Sequence, residues 1–183
     1  MSAALLGLGT ASPPHAIAQR DAAELAKAYC CQSDNQAAVL PTLFQRTRVD
    51  TRSSVLLDGT TVGPRQSFFQ PALDATDGGP TTGQRMARYA QDAAPLAIAA
   101  ARQAISAARL DPSVITHVVT VSCTGFISPG LDIALIRHFG LRADVSRTHV
   151  GFMGCHGALN ALAVARAFIE ASPLARVLLC SVE

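Results

Sequence analysis

Two rhythms of apolar residues organise the chain. The run "THVVTVS" (Thr116–Ser122) is β-branched and reads as a core strand. "ARVLLCSV" near Cys180 and "ALLGLG" (Ala4–Gly9) read as further buried strands, and "RTHV" as a short one. Helical spacing takes over elsewhere. Met86, Ala90, Ala93, Ala97, Ala101, Ala104 and Ala108 line one face at three- and four-residue steps. Pro95 either opens a new helix there or kinks a single one. Asp21 to Tyr29 forms a helix, and Val39 to Phe44 a second with Pro41 near its start. Leu131 to Phe139 is a helix stopped by Gly140, and Gly157 to Glu170 one broken by Ser172-Pro173. Between Thr51 and Thr82 the density of Gly, Pro, Asp and Thr predicts a long irregular surface segment.

From Thr116 onward the order is strand, helix, strand, helix, strand, which predicts parallel strands with crossover helices, an α/β layered fold. The Gly157–Glu170 helix adds a constraint. Only Asn160, Arg166 and Glu170 interrupt its apolar circumference. A helix apolar nearly all round is buried on all sides, so this one is expected between two layers of a soluble protein.

Composition narrows the function classes. Hydrophobic residues make up 49% of the 183 and charged residues 15%, enough for one domain with a substantial core. The net charge of +2 carries no cluster of Arg, so nucleic acid is not an expected partner. No apolar run reaches the roughly 18 residues of a membrane span. The start "MSAALLGLGT" lacks the basic region of a secretory signal, so a cytoplasmic protein is expected. Five cysteines without a C-x-x-C pair argue against a disulfide framework and a zinc site.

The chemistry concentrates at "GFMGCHGALNAL" (Gly151–Leu162). Cys155 lies where a strand gives way to a helix, and the free N–H groups and dipole of a helix start favour a thiolate there. Gly151, Gly154, Gly157 and Ala158 leave room for a ligand to reach the sulfur. The segment resembles a nucleophile elbow with sulfur in place of oxygen; the plain alternative is a buried structural cysteine packed by glycines. His156 is a helix neighbour and does not face Cys155. Nothing aims His149 at the sulfur, and His15, His117 and His138 read as surface or packing residues. Cys123 ends a core strand, where α/β sites gather. Pro129 and Gly130 separate it from the next helix, which favours a pocket-lining role. "GLGTAS" lacks the third glycine of a dinucleotide fingerprint, and Gly154 is not followed by the Lys-Ser/Thr of a phosphate loop.

"VSCTGFISPGLD" (Val121–Asp132), "GFMGCHGALNAL" and "ARVLLCSVE" together resemble the chalcone and stilbene synthases, the type III polyketide synthases. "LFQRTRVDTR" and "GPTTGQRMARYAQDAAPLA" resemble their bacterial branch. The resemblance implies a thiolase-like fold, two similar halves stacked as α-β-α-β-α layers with a buried central helix from each. Residues 1–183 would be the first half. It implies that Cys155 carries an acyl group as a thioester, taken from acyl-CoA, and that malonyl-CoA is decarboxylated and condensed onto it. It places Cys123 and Thr124 in the polyketide pocket and Ser128 where the family reaches across a dimer interface. Arg46 matches a coenzyme A contact, while Leu43 stands where plant members have lysine for that task. No bound cofactor or metal is implied.

The family's catalytic His and Asn belong to the second half, beyond Glu183. The proton acceptor for Cys155 is therefore expected from a complementing half rather than from these residues, and the expected partner of the chain is a second copy (a homodimer) or that complementing C-terminal half. Two other readings are a β-ketoacyl synthase III-like condensing protein, with the same fold and cysteine, and a catalytically silent truncated subunit. The "PG-x-D" string after Cys123 favours the polyketide family.

Overall fold

The computed structural model describes residues 3–59, 65–74 and 76–183. They divide into two compact units, Ser12–Gln84 and a second made of Met1–Ala11 with Arg85–Glu183.

In the first unit β1 (Ala16–Ala18) leads into α1 (Gln19–Cys30), followed by α2 (Asp34–Arg46) and β2 (Thr51–Ser53). β1 and β2 pair antiparallel, Ile17 opposite Arg52. Buried Gln19 ties the helices to this ribbon. Its amide donates to the Phe44 carbonyl at 3.1 Å and the Thr47 hydroxyl at 2.8 Å, and accepts from Arg52 Nε at 2.6 Å. α2 begins earlier than its apolar pattern suggests because Ser33 caps it, the hydroxyl accepting from the Gln36 amide at 3.3 Å. Pro41 therefore sits inside the helix rather than near its start. Within the segment predicted to be irregular, β2 is a short strand, and residues 60–64 and 75 lie outside the described residues.

The second unit is the layered one. Helix α3 (Thr82–Ala108) begins at the boundary and runs through Pro95 as one helix, deciding the question its sequence leaves open. Then follow β3 (His117–Ser122), α4 (Leu131–Phe139), β4 (Ser146–Gly151), α5 (Gly157–Ala171) and β5 (Val177–Ser181). The three strands form a parallel sheet in the order β4-β3-β5. The strand alternation sorts two cores. Val118, Leu178 and Cys180 face Ala93, Ala97 and Ala101 of α3 and Leu131 and Leu135 of α4. Val119 and Val121 face Ala161 of α5, with Val164 and Phe168 packed beside it. β3, covered on both faces, is the near-continuous apolar strand of the sequence. α4 stops at Gly140, whose φ of 60° is the left-handed cap expected of glycine.

Two sequence expectations are corrected. Ala4–Gly9 is not a buried strand: it joins no sheet, and Leu5 and Leu8 are 80% and 72% exposed. Gly7 and Gly9 explain the packing. Their backbone presses on α3 so closely that a Cβ would lie 2.2 Å from the Ala104 carbonyl oxygen and 2.1 Å from that of Ala100. The segment lies on a helix, with its leucines turned out. The second correction concerns α5, which buries only the face of Gly157, Ala161 and Ala165 and leaves Leu159 and Leu162 exposed.

Burial also sets a pH limit on this unit. Desolvation pushes the Cys180 thiol from an ordinary 9.0 up to about 11. A thiol held protonated by the fold stabilises it fully below pH 9, and that contribution is lost as pH rises from about 9 through about 11. A rise of that size corresponds to about 2–3 kcal/mol. Urea unfolding from pH 8 to 11 is expected to show this fall, and Cys180→Ala to flatten it; an equally steep fall in the variant would assign the loss to another group.

Candidate active site

The C-terminal ends of the three parallel strands come together in this unit, the edge where open α/β sheets place their chemistry. β4 ends at Gly151, and the chain turns sharply through Phe152 and Gly154, with φ of 59° and 63°. The left-handed conformation is strained for a phenylalanine, by about 1–3 kcal/mol. It is anchored by the Phe152 amide donating to the Ser122 carbonyl at 3.3 Å and by an edge-on contact between the Phe152 and Phe126 rings at 5.8 Å. Gly154–His156 then form a single 3-10 turn, and α5 starts at Gly157. Cys155 thus sits in the turn, two positions ahead of the α-helix rather than directly at its start, and it is exposed. The packed structural cysteine that the sequence offered as an alternative is Cys180 instead.

Cys123 approaches the same turn from the end of β3. Its thiol donates to the Gly154 carbonyl at 3.0 Å, and a Cβ on Gly157 would lie 3.8 Å from its sulfur and 2.9 Å from Val121 Cγ1. The absence of a side chain at Gly157 is what lets α5 begin this close to β3. Thr124 is exposed beside Cys123. Ser128 is exposed further along the loop, in a cis peptide with Pro129. Arg46 is the exposed last residue of α2 and belongs to the other compact unit.

The histidines have other engagements. The Thr120 hydroxyl and His149 Nδ1 are 2.9 Å apart, and the His149 ring lies against Gly151. His117 stacks on Phe168 at 4.3 Å, and His138 Nε2 is 2.6 Å from an Arg102 nitrogen. His156 follows Cys155 on the exposed turn.

Two participants escape sequence reasoning. Glu183 places both carboxylate oxygens on the Cys123 amide at 2.9 and 3.0 Å. It also accepts from the Thr124 amide at 2.9 Å and the Thr124 hydroxyl at 2.7 Å. Tyr89 of α3 lies under the same loop, so close that a Cβ on Gly125 would fall 2.2 Å from its ring. Burial raises the Tyr89 phenol above its ordinary value; the Ser122 hydroxyl opposes the shift, and the Glu183 charge adds to it. A lone carboxylate directly after the apolar run "ARVLLCSV" was the available signal for Glu183. Tyr89 had none beyond its helical spacing.

The unit is a parallel α/β layer that presents an exposed cysteine on the turn from a strand into its covering helix. The chain is a member of the chalcone and stilbene synthases: the family model for their N-terminal domain matches residues 1–183. It is 31% identical to the alpha-pyrone synthesis polyketide synthase-like Pks18 of Mycobacterium tuberculosis, over 99% of this chain and 44% of that protein. Among solved structures it resembles the fungal type III polyketide synthase ORAS with a TM-score of 0.78 and 28% identity, covering 97% of this chain and 45% of that one. It also resembles CsyB complexed with CoA-SH, with a TM-score of 0.76 and 26% identity, over 96% of this chain and 44% of that one. The fold is therefore the N-terminal half of the thiolase-like architecture, and the chain spans less than half the length of these relatives. Among the described residues no helix is long and apolar enough to cross a membrane.

Proposed function

We propose that residues 1–183 form the nucleophile-bearing half of a type III polyketide synthase and that Cys155 carries the growing acyl chain. The Cys155 sulfur attacks the carbonyl carbon of an acyl-CoA. A new carbon–sulfur bond forms, the bond to coenzyme A breaks, and coenzyme A leaves as its thiol with the proton given up by Cys155. Malonyl-CoA then loses carbon dioxide, and the electron pair left on its carbon attacks the Cys155 thioester, lengthening the chain by two carbons and freeing the cysteine. The single observation that carries this reading is the exposed Cys155 on its strained turn at the strand ends.

Cys123 and Thr124, on the loop packed against that turn, line the space the acyl chain occupies. Arg46 contacts coenzyme A, a role supported by the motif "LFQR" and by the CoA-bound state of CsyB. The base that receives the Cys155 proton comes from the C-terminal half of the fold, and Ser128 lies at a dimer interface. The protein works in the cytoplasm, where coenzyme A thioesters are made and used.

Incubating the chain with an acyl-CoA, alone and with the C-terminal half of a relative such as Pks18, tests the assignment. Intact-mass and peptide analysis are expected to show one acyl group on Cys155, an adduct that Cys155→Ala abolishes. An adduct confined to another cysteine, or none under either condition, would overturn it. An adduct without malonyl-CoA decarboxylation by the chain alone is the expected signature of a half that needs its partner.

A further inference from the structure

Glu183 stands out among the side chains at the strand ends. Its carboxylate accepts from three donors, the Cys123 amide, which is shared between both oxygens, and the Thr124 amide and hydroxyl. Hydrogen bonds to an ionised acceptor are about twice as strong as neutral ones. One carboxylate accepting from two consecutive amides also fixes a turn far more narrowly than one bond would. From that turn the connection continues: Cys123 donates its thiol hydrogen to the Gly154 carbonyl, and Gly154 immediately precedes Cys155.

We infer that Glu183 is a positioning residue for Cys155, acting through the Cys123–Thr124 turn that it clamps. The carboxylate at the end of β5 holds the end of β3, and Cys123 passes that constraint to the 3-10 turn between β4 and α5. Three strand ends separated in sequence become one rigid frame around the sulfur. An apolar residue at position 183 would leave the two amides without their common acceptor and let Cys123 swing away from Gly154. The inference rests on the reading that Cys155 is the acyl carrier, since a frame around that sulfur has a catalytic purpose only there.

The test compares Glu183→Gln and Glu183→Ala with the wild-type chain, after circular dichroism has shown which variants are folded. The rate of iodoacetamide modification is read for each cysteine by peptide mass spectrometry, with amide hydrogen exchange across the Cys123 loop. Glu183→Ala is expected to speed modification of Cys123 by about tenfold or more, the effect of losing a charge-assisted hydrogen bond. Exchange at the Cys123 and Thr124 amides should speed by a similar factor. The Cys155 rate should change with them, while Cys30 and Cys31 in the other compact unit keep theirs. Glu183→Gln, which retains one acceptor oxygen, is expected to fall between wild type and alanine, and it decides the matter if the alanine variant does not fold. Wild-type rates and exchange in a folded variant would overturn the inference. So would an equal acceleration at every cysteine, the mark of general loosening. Failure of wild-type Cys155 to take an acyl group would sink the proposed function, yet would leave the clamp visible in the exchange data, so the two failures are distinguishable.

Discussion

Leu135→Ala is expected to destabilise the parallel-sheet unit by about 2–5 kcal/mol, the range for emptying a fully buried leucine site. Leu135 has no exposed surface and lies where α4 meets both α3 and the sheet. Its neighbours leave little scope for collapse into the space. Val118 is fixed in the central strand, while Ala93, Ala97 and Ala101 have no side-chain freedom with which to fill a void. A native domain has about 5–15 kcal/mol in total, so the loss removes a large fraction of it. Urea unfolding followed by circular dichroism should show a lower midpoint with an unchanged slope, the sign of altered stability rather than altered compactness. A loss under about 1 kcal/mol would mean that α4 is not packed on the sheet as described. The consequence reaches the site, because α4 is the element to which the Cys123–Gly130 loop leads.

The parallel core was legible because each of its strands and helices announces itself locally. β3 is β-branched, α4 ends at a glycine that adopts the left-handed cap, and α5 is bounded by Gly157 and by Ser172-Pro173. What escaped has physical reasons. Ala4–Gly9 has the composition of a strand, but pairing is decided by neighbours, and its two glycines instead allow contact with α3. The first turn of α2 lies outside the apolar pattern because a polar cap starts it. Pro95 could not be decided from spacing alone; in the fold the helix simply continues through it. At the site, Cys155 was legible from small residues around a nucleophile. The 3-10 turn that carries it was not, since one helical turn more or less leaves no trace in hydrophobic periodicity. Glu183 was hidden for another reason: its role is a set of long-range bonds to residues about sixty positions earlier.

The apolar circumference of α5 predicts the last result, self-association of the chain on its own. The helix turns Gly157, Ala161 and Ala165 to the sheet, while Leu159 and Leu162 remain 61% and 56% exposed on the other side. Phe152 and Met153, in the turn that precedes α5, are likewise exposed, at 72% and 52%. Full burial of a leucine side chain is worth about 1.5–3 kcal/mol, and since little more than half of each is still exposed, covering both supplies about 2–3.5 kcal/mol toward association. Clusters of exposed large apolar side chains mark interaction sites when they form a patch. Sedimentation of the 183-residue chain at micromolar concentration is therefore expected to show species larger than a monomer, together with binding of a hydrophobic dye. Leu159→Glu with Leu162→Lys should shift the chain toward monomer and lower dye binding while leaving its circular dichroism unchanged, because neither side chain contributes to the sheet-facing core. A compact wild-type monomer without dye binding would show that this face needs no cover, and would remove the physical ground for a further layer lying against α5.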